Sequence, residues 1–158
     1  MIEVFSMEKN VETIFATRKM FIKLMDGLSI EKLNKVPQGF NNNIIWNFGH
    51  VIMTQQILCY KLANLSTHVT ESYITKYSKG SKPESFIDAN ELDYLRELAL
   101  SSVDQLIIDM SNNLFDNFNT YTTSFGVDLT CIDDAVKFMC MHEGMHIGYA
   151  MALKRVVN

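Results

Sequence analysis

The chain has 158 residues, of which 47% are hydrophobic and 20% charged, and 14 basic against 18 acidic residues leave a net charge of −4. That balance belongs to a folded globular protein rather than a disordered one, and the length fits one domain, residues 1–158. It excludes the basic surface that nucleic-acid binding requires, because a mildly acidic chain without a basic block gains little from phosphate contacts.

The amino end, MIEVFSMEKNVET, carries early acids and no continuous apolar run. It predicts neither a secretory leader nor a membrane anchor, and hence a cytoplasmic protein. Over about residues 7–26, Val11, Ile14, Phe15, Phe21, Ile22 and Met25 recur at helical steps, with Gly27 as the stop. Arg18 lies inside that stripe and is expected to rest its stem on the core while its charge reaches water. Past Pro37 and Gly39, the triplet Asn41-Asn42-Asn43 offers caps for a second helix running to about residue 64, with Trp46, His50, Met53 and Ile57 on its apolar stripe.

Residues 65–90 read as a long connection containing a short helix around Glu71 to Tyr77. A third helix over about 89–115 is carried by Leu92, Leu95, Ala99, Leu106 and Met110. A polar connection through Gly126 leads to a fourth helix at about 131–157, and no long segment alternates as a strand would. The expectation is an all-α fold, a four-helix bundle with a long crossover connection between helices 2 and 3. Cys59, Cys131 and Cys140 are odd in number and widely spaced, which argues for reduced, mostly buried thiols rather than a disulfide framework. Ten Met and ten Phe suggest an adaptable, gap-filling interior.

The chemistry concentrates in residues 140–150, CMHEGMHIGYA. At 3.6 residues per turn His142 and His146 share a face with Ala135, Phe138, Met139, Tyr149 and Leu153, so both rings are expected to point at the core. Two imidazoles one turn apart stand about 6 Å apart along the axis, close enough to bind one cation, but core histidines bonded to carbonyls show the same spacing. A third histidine on an inward stripe, His50, favours the metal. His68 lies in the polar connection and is expected to be solvated. Three histidines and a water would leave an open coordination position, which suits catalysis.

The pentad His142-Glu143-Gly144-Met145-His146 spells the zinc-peptidase pattern, but only twelve residues follow His146 and Ala152 stands where a metzincin needs its third histidine. Glu143 lies about 100° around the helix from His142, and solvation is its default reading, with a supporting or rim role as the alternatives.

Trp46-Asn47-Phe48-Gly49-His50 near the start of the second helix, followed by His142-Glu143-Gly144-Met145-His146-Ile147-Gly148 on the last, resembles the DinB-like superfamily over nearly the whole chain. The resemblance implies a four-helix bundle in which His50, His142 and His146 hold a divalent metal, with zinc, nickel and iron all associated with the group. It further implies metal-dependent chemistry of S-transferase or hydrolase type on a small molecule, with a low-molecular-weight thiol as one cofactor class, and often a homodimer. A non-catalytic stress-associated metal protein or helical interaction module of the same fold is the alternative.

Cys140, Gly144, Gly148 and Ala152 form a small-residue ridge away from the histidines, with Met141, Ile147 and Met151 alongside. A helix apolar nearly all round is expected to be covered on both sides, by another helix of the protomer or by a second copy.

Overall fold

The computed structural model describes the backbone of residues 2–158 and the side chains from residue 7 onward. In chain order the elements are α1 (Ile2–Met25), α2 (Ile30–Asn34), α3 (Ile44–Gln55), a π-helical turn (Gln56–Lys61), α4 (Glu71–Tyr77), α5 (Ala89–Ser111), β1 (Tyr121–Thr122), β2 (Asp128–Leu129) and α6 (Ile132–Val157). The fold is all-α apart from one short hairpin. Met1, the first residue of the stretch read as neither leader nor anchor, lies outside the described residues. Among the described residues no helix is long and apolar enough to cross a membrane.

Local chemistry explains most boundaries. Gly27 at φ +78° ends α1, since a left-handed residue cannot continue a helix and glycine adopts it without strain. Asn43 caps α3, its Oδ1 accepting the Trp46 backbone N–H at 2.8 Å. Asp88 does the same for α5 through Glu91 N–H at 2.9 Å.

Three features depart from the sequence reading. The second helix passes into a π-helical turn at Gln56 instead of staying α-helical to residue 64, and α5 stops at Ser111 where Asn113 turns left-handed at φ +54°. The polar connection before α6 closes a hairpin, with Thr123 N–H donating to Val127 O at 2.8 Å. Strands of two residues are too short to show alternation.

The helices α1 and α3 each pack against both α5 and α6. Their apolar side chains form two clusters along the helices. One contains Phe21, Phe48, Leu95 and Leu153, the other Ile14, Cys59, Leu106 and Met139.

Between the two clusters lies a polar layer with one residue from each of α1, α3 and α6 and two from α5. Arg18 is fully buried, which corrects the expectation that its charge would reach water. Its Nη2 donates to Glu143 Oε1 at 2.8 Å and its Nε to the same oxygen at 3.1 Å. Its Nη1 donates to Ala99 O at 3.0 Å and Ser102 Oγ at 2.9 Å. Ser102 Oγ–H in turn donates to Gln55 Oε1 at 3.0 Å, and Gln55 Nε2 donates to Ser102 O at 2.7 Å. Snorkelling loses because a guanidinium with this many acceptors has its donors satisfied inside, so burial no longer strands the charge.

Glu143 is likewise fully buried rather than solvated. Burial pushes its carboxyl up from the ordinary carboxylate value, and Arg18 beside it pulls the other way by favouring the charged form.

A buried pair of this kind is costly to break from one side. Urea denaturation is expected to show Arg18→Met and Glu143→Leu each destabilising by about 3–5 kcal/mol, and the double variant losing much less than the sum, because it leaves no uncompensated charge. Additive losses would contradict the pairing.

Candidate metal centre

The site sits beside that polar layer, and α3 supplies its first half. In the run Trp46-Asn47-Phe48-Gly49-His50 each residue has a distinct physical task. The Trp46 ring stacks on His50, with centroids 4.8 Å apart and planes within 9°; its Nε1 donates to Ser81 Oγ at 3.0 Å. Phe48 is buried against Phe21.

Gly49 touches Tyr77: a Cβ there would come within 2.5 Å of the tyrosine ring. That close approach brings the Tyr77 backbone next to His50, whose Nδ1 lies 2.7 Å from Tyr77 O. A carbonyl only accepts, so Nδ1 carries the proton and Nε2 keeps its lone pair. The Thr54 hydroxyl is 3.5 Å from that Nε2, too long to occupy it well.

The second half comes from α6. His146 Nδ1 lies 2.8 Å from Asn47 Oδ1. Asn47 is oriented unambiguously, since its Nδ2 donates to Asn42 Oδ1 at 2.9 Å and to Asn43 O at 2.8 Å. Its Oδ1 therefore accepts, His146 Nδ1 donates, and His146 Nε2 is also left with a lone pair. His142 is mostly buried, and its Nδ1 has no hydrogen-bond partner among the described residues. An unsatisfied buried ring nitrogen costs about 1–3 kcal/mol, a cost that coordination or a bound ligand would remove.

The three rings converge, with centroid separations of 5.1 Å for His50–His142, 4.6 Å for His50–His146 and 4.5 Å for His142–His146. One nitrogen from each lies within 4.8 Å of the others, and this trio could hold a metal ion. Nitrogens at about 2.0–2.1 Å from a tetrahedral zinc stand roughly 3.4 Å apart, so closure asks for side-chain shifts of about an ångström and no new backbone.

Electrostatics suit the role. Burial, reinforced by the other two imidazoles, lowers His142 from 6.5 to about 3. Burial and His50 lower His146 from 6.5 to about 4, and burial lowers His50 despite its bond to Tyr77 O. All three are neutral at physiological pH, the form that coordinates.

His68 stays apart, as expected, with its side chain 42% exposed, although its Nε2 reaches Asp109 Oδ2 at 3.3 Å. Glu143, bound to Arg18, points away from the trio, so the peptidase arrangement fails on geometry as well as spacing. The cysteines divide: Cys59 is buried and its thiol pushed up to about 12 by desolvation, Cys140 is half-buried and pushed up to about 11 by the same cause, and Cys131 is exposed, against the expectation of burial.

The sequence reading missed Asn47, Tyr77 and Thr54 around the histidines. Asn47 sits inside the quoted motif three residues before His50, and that spacing was the available signal. Tyr77 acts through its carbonyl, which any residue has, and only Gly49 hints at it.

A hollow of 210 Å³ opens onto His142. Larger hollows of 630 and 700 Å³ elsewhere touch none of the three histidines. Residues 14–150 match the family model described as the DinB superfamily. Comparison with curated proteins gave no match.

Acid should act on the metal-free protein in a definite direction. His142 and His146 have folded values below the 6.5 of the unfolded chain, so the unfolded state takes up protons first as pH falls. Their contribution to stability is complete above about pH 6.5 and is lost as pH drops through the folded values. Thermal melts of metal-free protein from about pH 7 to pH 4 should show a falling Tm, with a shallower fall in His142→Leu. An identical slope in that variant would contradict the assignment.

Proposed function

We propose, from the premise that this chain belongs to the DinB superfamily, that it is a divalent-metal-dependent enzyme in which His50, His142 and His146 are the protein ligands. The observation that carries this reading is the convergence of three neutral imidazoles, two of them with Nδ1 pinned by Tyr77 O and Asn47 Oδ1. Holding the far nitrogen is how proteins fix a metal-binding histidine's tautomer and aim. In this reading α1, α3, α5 and α6 make a four-helix bundle, and residues 65–88 are the crossover between α3 and α5.

Three protein ligands rather than four favour catalysis over a structural role, since they leave a position for water or substrate. Zinc or nickel, with iron third, would supply Lewis acidity there, lowering the pKa of a bound water or thiol or polarising a carbonyl. The chain's own residues do the positioning. Asn47 and Tyr77 hold two rings, Trp46 covers the face of His50, and the Arg18–Glu143 pair sets the rotation of α6. The reaction class is thiol-dependent S-transfer or hydrolysis on a small molecule; Glu143 is committed to Arg18 and takes no part in proton transfer.

The α6 ridge supports self-association of this protein as a homodimer. Gly144 and Gly148 have open space where a Cβ would be, and Met141, Met145 and Met151 beside them are exposed. Ile147, expected on this ridge, instead lies in the core. A contiguous exposed apolar strip of this kind marks an interaction site.

Two measurements test these readings. Untagged protein analysed for metal should carry about one zinc or nickel per chain, and His50→Ala, His142→Ala and His146→Ala should each abolish binding, with doubles no worse than singles, because ligands to one ion act as a unit. A content far below one that added zinc or nickel does not restore would overturn the metal reading. Sedimentation at micromolar concentration should give a dimer that Gly148→Glu converts to monomer; a monomeric parent ends the dimer proposal.

A further inference from the structure

The hollow beside His142 differs in character from the protein around it. Its walls are apolar: Ile57 and Leu62 from the π-helical turn and the residues after it, Phe138 from α6, and Phe125 from the hairpin. Phe125 packs edge-on against Phe138 at 6.1 Å, and Phe138 stacks on His142 at 6.0 Å and 26°. An aromatic wall therefore runs from the hairpin to the buried ring that lacks a partner. Thr54, one turn beyond His50 on α3, lines the hollow with a hydroxyl 3.5 Å from His50 Nε2, while His142 is the histidine that lines it directly.

Size and charge then limit the occupant. At 210 Å³ the space falls below the roughly 300–1,000 Å³ of pockets for drug-sized ligands. It encloses a compact group and would leave most of an extended peptide-like ligand outside. Lys79 is its one charged lining residue, beside the neutral ring of His142, and no aspartate or glutamate lines it.

In a protein of net charge −4, a hollow with one cation and no acid selects against cations and favours a single negative charge. Lys79 is exposed and makes no ion pair among the described residues. It also stands two residues after Tyr77, so the backbone that fixes His50 through Tyr77 O fixes where Lys79 begins.

The geometry points to a substrate class: a small organic monocarboxylate with a compact apolar body, the body against Phe125, Phe138 and Leu62 and the carboxylate at Lys79. This rests on the reading of the three histidines as the reaction centre and adds what that centre is offered. The assignment leaves the histidine end of the hollow for the substrate's reactive group, and the Lys79 end for recognition.

The probe is hexanoate, titrated into full-length protein with and without one equivalent of zinc and followed by amide shifts and calorimetry, with 1-hexanol and hexylamine as neutral and cationic matches. Hexanoate should shift the amides of residues 123–125 and 79, hexanol should bind roughly five- to tenfold more weakly and hexylamine not at all, and Lys79→Gln should weaken hexanoate to the level of hexanol. Phe125→Ala, an exposed hairpin position, should weaken hexanoate and hexanol alike.

Equal binding of hexanoate and hexanol would overturn the proposal, as would hexanoate affinity indifferent to Lys79→Gln. Binding that appears only with zinc and ignores Lys79 would mean that the carboxylate sits on the ion, and would overturn it too. A protein that takes up no zinc yet binds hexanoate through Lys79 would refute the metal reading while leaving the carboxylate pocket standing.

Discussion

The buried pair of Arg18 and Glu143 constrains everything near the site, because Glu143 follows His142 directly on α6. Adjacent residues on a helix point about 100° apart, so a carboxylate pinned to a guanidinium on one side fixes the direction of its neighbour on the other. The fork geometry of arginine makes this more than a charge contact: four of its five N–H groups engage α5 and α6 at once, and Ser102 carries the link to Gln55 on α3. With α6 held in rotation, His142 and His146 are aimed at α3, and the tautomers follow from Tyr77 O and Asn47 Oδ1. A polar layer between two apolar clusters also pins the helices in axial register, since sliding any one of them would strand a buried charge or a buried polar group.

Burial, rather than the ion pair, accounts for the protonation states of the three histidines. The histidines lie in surroundings that burial has already made poor for charge; His50 raises the cost of protonating both of the others, and His146 that of His142. Neutral rings with fixed Nδ1–H directions need little reorganisation on meeting a cation. His142 differs from its partners in having no outer bond at Nδ1, so its ring is the least constrained of the three. It is also the one that faces the hollow.

How much of this was legible in the sequence depended on the kind of interaction. Apolar periodicity located the long helices, and side-chain caps such as Asn43 and glycine stops such as Gly27 marked their ends, because those signals are local. The three histidines were legible because each fell on an inward stripe and because the surrounding residues resemble a family with that ligand set. Arg18 and Glu143 were misread for one shared reason. A charged residue on a stripe looks like a snorkelling or solvated residue unless its partner is known, and here the partner is 125 positions away. The π-helical turn and the hairpin left no periodic signal at all. The rotation of α6 placed Ile147 inside and Tyr149 at the surface, the reverse of a stripe centred on the histidines, because the core-facing line runs through Glu143.

The central claim is that three imidazoles from two helices share one ion. X-ray absorption at the zinc edge of the reconstituted protein tests it most directly. The account predicts a nitrogen and oxygen shell at about 2.0–2.1 Å with the outer-shell scattering of three imidazoles and no sulfur near 2.3 Å. A sulfur shell, or scattering from fewer than three imidazole rings, would contradict it.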